Sequence, residues 1–172
     1  MGNIGAFLDV NGCIIRNNCN AEDGAHYLLR PEDWVVLEGA SEAHKILYEH
    51  NFHTFWVTSQ NSITEGLVTR KQLEGMFEAM RRMLGAYCGI GVVEEIVIVT
   101  NDIVGDDSDP KIQQLKADVK VSAMLKLKDR YDIDMANSFG VGDRTSDIDG
   151  FQRAGIGSKY QILTPFGDKP AD

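Results

Sequence analysis

The chain has 172 residues and a mass of 19.1 kDa, a length typical of one domain that can bury its own core. Hydrophobic residues make up 43% and charged residues 25%, which excludes a mainly disordered chain, and the net charge of -9 argues against broad contacts with nucleic acid or anionic lipid. Because no apolar run approaches the ~18 residues that span a bilayer and no signal-peptide pattern opens the chain, we expect a cytoplasmic protein with one domain over residues 1–172.

Apolar runs alternate with longer amphipathic stretches, a pattern typical of a parallel sheet covered by helices on both faces. Short apolar runs that end at polar or turn residues predict strands over residues 4–10, 53–57, 95–99, 138–141 and 159–163. Helical periodicity predicts helices over residues 41–50, 69–87, 121–131 and 146–154. Thr69, with Gln72 three residues later, is a typical helix start. The sequence therefore predicts a three-layer α/β/α fold, doubly wound around a mainly parallel sheet.

Two segments interrupt this alternation. Residues 17–38 are expected to connect the first strand to the first helix, and residues 100–116 form an acidic segment that we expect to be a solvated loop. The acidic segment lacks the glycine and glutamate spacing of a calcium-binding loop. Neither segment is long enough for a large cap domain, so the sequence predicts an open site whose selectivity comes from loops.

Polar residues follow the predicted strands, and the carboxyl ends of parallel strands meet at one edge of a sheet. Asp9 and Asp143 end the first and fourth runs, and Asp147 comes one helical turn after Asp143. Carboxylates that close together repel each other unless a cation lies among them, and Mg²⁺ suits such oxygen ligands. The other polar residues at these ends are Asn11, Thr58, Ser59, Gln60, Thr100, Asn101 and Arg144.

Three of these segments carry a resemblance to a known family. The segments are Phe-Leu-Asp-Val-Asn-Gly at 7–12, Val-Thr-Ser-Gln at 57–60 and Gly-Asp-Arg-Thr-Ser-Asp at 142–147. In this order they resemble three of the four motifs of the haloacid dehalogenase-like (HAD) phosphatases. The chain is most similar to the small branch of histidinol phosphatases and heptose-bisphosphate phosphatases.

The resemblance implies a role for each matching residue. Asp9 would be the nucleophile that forms an aspartyl-phosphate. Thr58, with Ser59 and Gln60 beside it, would bind phosphoryl oxygens. The carboxylates of Asp9 and Asp143 and the main-chain carbonyl of Asn11 would hold Mg²⁺, and Asp147 would orient that shell directly or through water.

Residues outside these roles are also candidates for substrate binding. Arg144 is a candidate contact for a substrate anion, together with Arg16 and Arg30, although surface arginines often have no specific partner. Asp147 could alternatively serve as a cap at the start of a helix, where carboxylates are favoured.

Two positions depart from the family pattern. The residue two after the nucleophile is normally an aspartate that shuttles a proton, whereas this chain has Asn11, which cannot; the sequence does not show whether Asn11 is natural or an introduced substitution. The lysine that normally stabilises the phosphate falls, by position, at Asp118, so either Lys116 or Lys120 would have to serve, and Lys120 is favoured. The cysteines and histidine of a zinc loop are also missing from residues 100–116, so no zinc is expected.

The leading hypothesis is a Mg²⁺-dependent phosphomonoesterase, slowed by Asn11, that acts on a small metabolite such as a sugar phosphate or a histidinol-phosphate-like compound. The alternative is a phosphatase-derived module that binds phosphate or metal without turnover, and the oligomeric state stays open. A phospho-accepting receiver domain is disfavoured, because its third strand should end in an aspartate and this one ends in Val-Thr-Asn at 99–101.

Overall fold

The fold is built on a five-stranded sheet in which every neighbouring pair of strands runs parallel. It was obtained as a computed structural model, which describes residues 2–17, 30, 34–88, 91–100 and 110–163. The order of the strands is β5-β4-β1-β6-β7. Their bounds are β1 Gly5–Leu8, β4 His53–Ser59, β5 Glu95–Val99, β6 Phe139–Gly142 and β7 Ser158–Gln161. Each strand matches a predicted one to within a few residues.

Helices cover both faces of this sheet. Within the described residues they are α1 Ala40–Glu49, α2 Asn61–Thr64, α3 Arg70–Cys88, α4 Pro110–Tyr131 and α5 Thr145–Arg153. Helix α1 packs against α3, and α4 packs against α5. None of these helices combines the length and the apolar composition needed to cross a bilayer.

Alternating side chains of the central strands fill two apolar cores. Ala6, Leu8 and Trp56 lie in the core beneath α1 and α3, whereas Phe7 and Phe55 lie in the core beneath α4 and α5. This division follows from the two-residue period of a strand, which sends successive side chains to opposite faces. The predicted three-layer arrangement is confirmed, and no large cap is present among the described residues.

The predicted start of α3 is confirmed by reciprocal hydrogen bonds. The Thr69 backbone N–H donates to Gln72 Oε1 at 2.9 Å, and the Gln72 N–H donates to Thr69 Oγ1 at 3.2 Å. These bonds satisfy backbone donors that a helix start leaves open. The apolar stripe of this helix is buried, as predicted, through Leu73, Met76, Phe77, Met80 and Leu84.

The prediction for the segment before α4 was wrong in part. Residues 110–116 belong to the helix, which begins at Pro110 and not at residue 121, while residues 101–109 lie outside the described part. Proline suits the first position of a helix because its missing N–H would have no partner there. The lysine, glutamine, leucine and alanine residues that follow Pro110 are all good helix formers, and the acidic residues of the segment all come before Pro110.

The prediction also missed secondary structure in the connection after β1. It contains two short antiparallel strands, β2 Ile15–Asn17 and β3 Trp34–Val36, in which Ile15 pairs with Val36. Three-residue strands carry too few alternating positions to be recognised by periodicity. A 3-10 helix over Met135–Asn137 was missed for the same reason.

The burial of α4 can be tested by truncating one side chain. Met124 is 1% exposed and lies in the core, whereas its neighbour Leu125 is 39% exposed. Because a buried truncation leaves a cavity, we expect Met124→Ala to lower the free energy of unfolding by about 2–5 kcal/mol. The control Leu125→Ala should cost less than about 0.5 kcal/mol. Urea unfolding measures both, and equal losses would contradict the packing of α4 described above.

Candidate active site

Asp9 and Asp143 lie at adjacent strand ends in the middle of the sheet. Asp9 follows β1 and Asp143 follows β6, and these two strands are neighbours. The chain leaves β1 towards β4 on one side, while β6 and β7 continue the sheet on the other, so the order of strands reverses here. Open parallel sheets bind ligands at such a point. One carboxylate oxygen of Asp9 and one of Asp143 lie within 4.8 Å of each other.

A buried ammonium group joins two of the three aspartates. Lys120 Nζ donates to Asp9 Oδ1 at 2.8 Å and to Asp147 Oδ1 at 2.5 Å. The side chains are 11% exposed for Lys120, 9% for Asp9 and 3% for Asp147. In such a dry place an ion pair is screened little by water, so the three charges depend on one another.

The surroundings shift the pKa values of these groups. Burial raises the pKa of Asp9 to about 7, with smaller increases from Asp147 and Asp143, while Lys120 acts in the opposite direction. Burial, together with the nearby Asp147, raises the pKa of Asp143 to about 6. Burial disfavours the charged form of Lys120, but Asp147 and Asp9 outweigh it and raise the pKa of the ammonium. A further cation near Asp9 and Asp143 would therefore be favourable.

Lys120 lies on the buried face of α4. Two residues correspond to about 200° of a helix, so Asp118 and Lys120 point in nearly opposite directions. Asp118 is exposed and forms an ion pair with Arg153 of α5, whereas Lys120 points to the sheet. Of the two predicted lysines, the structure brings Lys120 to Asp9; the side chain of Lys116 lies outside the described part.

The turn after β1 packs tightly against Asp143. Gly12 has a φ of +83°, and a Cβ at this position would overlap the Asp143 carboxylate. Glycine is thus required both by the backbone conformation and by the close approach. The turn is closed by hydrogen bonds from the Ile14 and Ile15 backbone N–H groups to the Val10 carbonyl, at 2.9 and 3.1 Å.

Cys13 is a member of this cluster that the sequence analysis missed. Its Sγ lies within 4.8 Å of an oxygen of Asp9 and of Asp143. Burial and the neighbouring carboxylates raise the pKa of the thiol well above its usual range, so the site holds a neutral thiol at pH 7. The sequence offered one indication of this position: Cys13 comes four residues after Asp9, directly after the turn residues Asn11 and Gly12.

A hydrogen-bonded network joins the ends of β1 and β4. Gln60 Nε2 donates to Thr58 Oγ1 at 2.8 Å and to Asn11 Oδ1 at 2.9 Å. Gln60 and Thr58 are buried, whereas Ser59 between them is half-buried. The predicted phosphate-binding segment therefore reaches the turn that carries Asn11.

Asp147 and Arg144 occupy the start of α5. Asp147 accepts from Lys120 through Oδ1 and from the Arg144 backbone N–H through Oδ2, the latter at 3.2 Å. Asp147 thus caps the helix and also binds the buried ammonium. The side chain of Arg144 is exposed, and that of Arg16 is exposed on β2.

The residues present fit a hard divalent cation. Asp9 and Asp143 supply carboxylate oxygens close to each other, and the Gly12 turn leaves no space for a side chain against Asp143. Oxygen donors of this kind suit Mg²⁺, which binds through a few carboxylates and keeps several waters. Asp147 is not a member of this close group, and its two oxygens accept hydrogen bonds from Lys120 and from the Arg144 N–H.

The chain is similar to several known proteins in sequence and in fold. No family model matches the chain. It is 28% identical over 181 residues to the D-glycero-beta-D-manno-heptose-1,7-bisphosphate 7-phosphatase of Haemophilus ducreyi, with 100% of this chain and 92% of the relative covered. A HAD-like protein from Mesorhizobium loti superposes with a TM-score of 0.73 at 18% identity, with 95% of this chain and 77% of that chain covered.

A second solved structure is the D,D-heptose 1,7-bisphosphate phosphatase of Bordetella bronchiseptica complexed with magnesium and phosphate. It has a TM-score of 0.66 and 24% identity, and the match covers 92% of this chain and 79% of that chain. The resemblance inferred from the three motifs is therefore confirmed, since the relatives are heptose-bisphosphate phosphatases and the fold is that of HAD-like phosphatases.

The Lys120 ion pairs can be tested by removing the ammonium. Because Lys120→Met leaves two buried carboxylates without their partner, we expect it to lower the free energy of unfolding by about 3–5 kcal/mol at pH 7.5 in metal-free buffer. Lys126→Met, on the exposed face of the same helix, is the matched control and should have little effect. Chemical denaturation measures both variants. An equally stable Lys120→Met protein would contradict the buried ion pairs.

Proposed function

We propose that this protein is a Mg²⁺-dependent phosphomonoesterase that forms an aspartyl-phosphate on Asp9. The observation that carries the proposal is the convergence of Asp9, Asp143 and Lys120 at one edge of the sheet. The two carboxylates can bind a divalent cation, and the buried ammonium and that cation can together neutralise the charge of a phosphate. Asp9 and Asp143 also lie in motifs that resemble those of the HAD phosphatases, and Lys120 is the favoured one of two lysines near the family's lysine position.

Asp9 attacks the phosphorus of the substrate in the first step. A bond forms between a carboxylate oxygen of Asp9 and phosphorus, while the bond between phosphorus and the alcohol oxygen breaks. The nucleophile must be ionised, and the contact with Lys120 favours its carboxylate form against the effect of burial. Lys120 also holds Asp9 in place, and Asp147 holds Lys120.

The charge of the transferring group must be stabilised by donors. Thr58 can supply a hydroxyl to a phosphoryl oxygen, with Ser59 and Gln60 next to it in the chain. Arg144 is exposed at the start of α5 and can bind a second anionic group of the substrate. Lys116 is the alternative cation for the phosphate, and we favour Lys120 because it contacts Asp9.

Asp9, Asp143 and the carbonyl of Asn11 would hold Mg²⁺. When bound, Mg²⁺ supplies positive charge that offsets the phosphoryl oxygens and the Asp9 carboxylate. Asp147 would orient this shell directly or through water, and its contacts with Lys120 and the Arg144 N–H fix the position of its carboxylate.

Asn11 limits the second step. Water must attack phosphorus and release the Asp9 carboxylate, and the attacking water has to lose a proton. An amide can neither accept that proton nor protonate the leaving alcohol of the first step, so solvent water has to do both. A positioned acid/base contributes ~10² to 10⁴ in rate, so we expect slow turnover and a long-lived aspartyl-phosphate.

A small phosphorylated sugar is the substrate class that we favour. The relatives are named as heptose-1,7-bisphosphate phosphatases, and no large cap restricts the described part of the site. The alternative, a non-catalytic module derived from a phosphatase, is favoured by one specific observation, the amide at position 11. The two functions differ in whether restoring a carboxylate there restores turnover.

This proposal is tested by phosphate release in Mg²⁺ buffer from heptose 1,7-bisphosphate, other sugar phosphates and a chromogenic phosphate ester. We expect slow release by the wild-type protein and a rise of ~10² or more for Asn11→Asp, because the carboxylate can carry the proton. Asp9→Asn should abolish release in both backgrounds, and the exposed Asp149→Asn on α5 is the matched control. If neither the wild type nor Asn11→Asp releases phosphate, the non-catalytic module is the better interpretation.

The proposed metal site is tested separately by calorimetric titration with MgCl₂. Asp143→Asn should weaken the affinity for Mg²⁺ about 10- to 100-fold, because it removes a ligand charge. Gly12→Ala should weaken the affinity similarly, since its new Cβ would displace the Asp143 carboxylate. Asp129→Asn, exposed on α4, serves as the control. Unchanged affinity in Asp143→Asn would place the cation elsewhere.

A further inference from the structure

Gln60 is buried at the edge of the sheet that carries the site, and its side-chain amide donates hydrogen bonds to two residues there. Its side chain follows β4, and the residue is 4% exposed. Its backbone N–H donates to the Val99 carbonyl at 2.9 Å, which extends the pairing of β4 with β5 past the last strand residue. The backbone of Gln60 is therefore held by the sheet.

The Gln60 amide uses both of its N–H groups. A glutamine Nε2 carries two hydrogens, and the two acceptors are Thr58 Oγ1 and Asn11 Oδ1. No hydrogen of Nε2 is left for a phosphate. Gln60 was expected to contact phosphate directly, so its contribution has to pass through its two partners.

These two bonds determine what the partners can offer. A hydroxyl has one hydrogen, and because Thr58 Oγ1 accepts from Gln60, its own O–H is left to donate. Asn11 has one amide oxygen and one amide nitrogen, and because Oδ1 accepts from Gln60, the opposite end of the amide is Nδ2, which can only donate. Without Gln60, the Thr58 hydroxyl or the Asn11 amide could rotate so that its oxygen, and not its hydrogen, faces an anion.

We propose that Gln60 is a positioning residue that makes Thr58 and Asn11 hydrogen-bond donors towards a bound phosphoryl group. This inference rests on the proposed phosphatase site, but it concerns binding and does not require turnover. Asn11 thereby has a role of its own: it cannot move a proton, yet it can bind the anion. The burial of Gln60 keeps water from replacing its two hydrogen bonds.

The experiment measures the affinity for inorganic phosphate by calorimetry in MgCl₂, so that the result does not depend on catalysis. Gln60→Met keeps the length of the side chain and removes its donors. We expect it to weaken phosphate binding about 10- to 100-fold, the range for hydrogen bonds to a charged group. Gln152→Met, on the exposed face of α5, is the control, and circular dichroism of each variant verifies that it folds.

A double-mutant cycle with Thr58→Val separates positioning from independent contact. If Gln60 acts through Thr58, its loss should matter less once the hydroxyl is gone, so the combined loss should be smaller than the product of the two single losses. Side-chain amide signals in NMR spectra provide a second readout. Phosphate should shift the Asn11 Nδ2 protons more than the Gln60 Nε2 protons.

The outcomes are distinct. Larger shifts at Gln60 Nε2, or losses that multiply independently, would make Gln60 a direct ligand and overturn the inference. Wild-type affinity in Gln60→Met, or a wild-type protein that binds no phosphate, would also overturn it. Phosphate binding that follows the expected pattern without any turnover would support the positioning role of Gln60 while contradicting the proposed phosphatase.

Discussion

The ion pairs of Lys120 with Asp9 and Asp147 are the interaction on which the site depends. Three aspartates end up near the carboxyl edge of β1 and β6, and burial alone would penalise each of them. One ammonium, with its Nζ at 2.8 and 2.5 Å, pairs with two of these carboxylates, those of Asp9 and Asp147. Apolar residues of similar size would often stabilise the fold as well as these buried ion pairs do. A role in binding is therefore a better reason for this charge cluster than stability.

The fold brings these charges together through two contacts. Pairing of β1 with β6 sets Asp9 beside Asp143, and packing of α4 against α5 sets Lys120 beside Asp147. Along α4, Lys120 takes a place in the buried stripe of Ala117, Met124 and Leu127. Because buried apolar residues lie before and after the lysine on this stripe, the ammonium is positioned by helix packing and not by a loop.

Most of the sheet could be predicted from the sequence, because its strands are short apolar runs with polar ends. The start of α4 could not, since Lys120 interrupts the apolar stripe of the helix, and the acidic residues upstream suggested a loop. The carboxylates of the site followed from the ends of strands. The hydrogen bonds of Gln60 and the approach of Cys13 did not, because both depend on how a turn closes in space.

Asn11 separates two properties that an aspartate would combine at this position. An aspartate at position 11 could both accept a hydrogen bond from Gln60 and carry a proton, whereas the amide keeps the first property and loses the second. The rest of the edge is built as if for catalysis: Asp9 is paired with Lys120, and Gly12 makes room for Asp143. The single oxygen-to-nitrogen difference thus preserves the hydrogen bond from Gln60 and removes a group that could accept or release a proton.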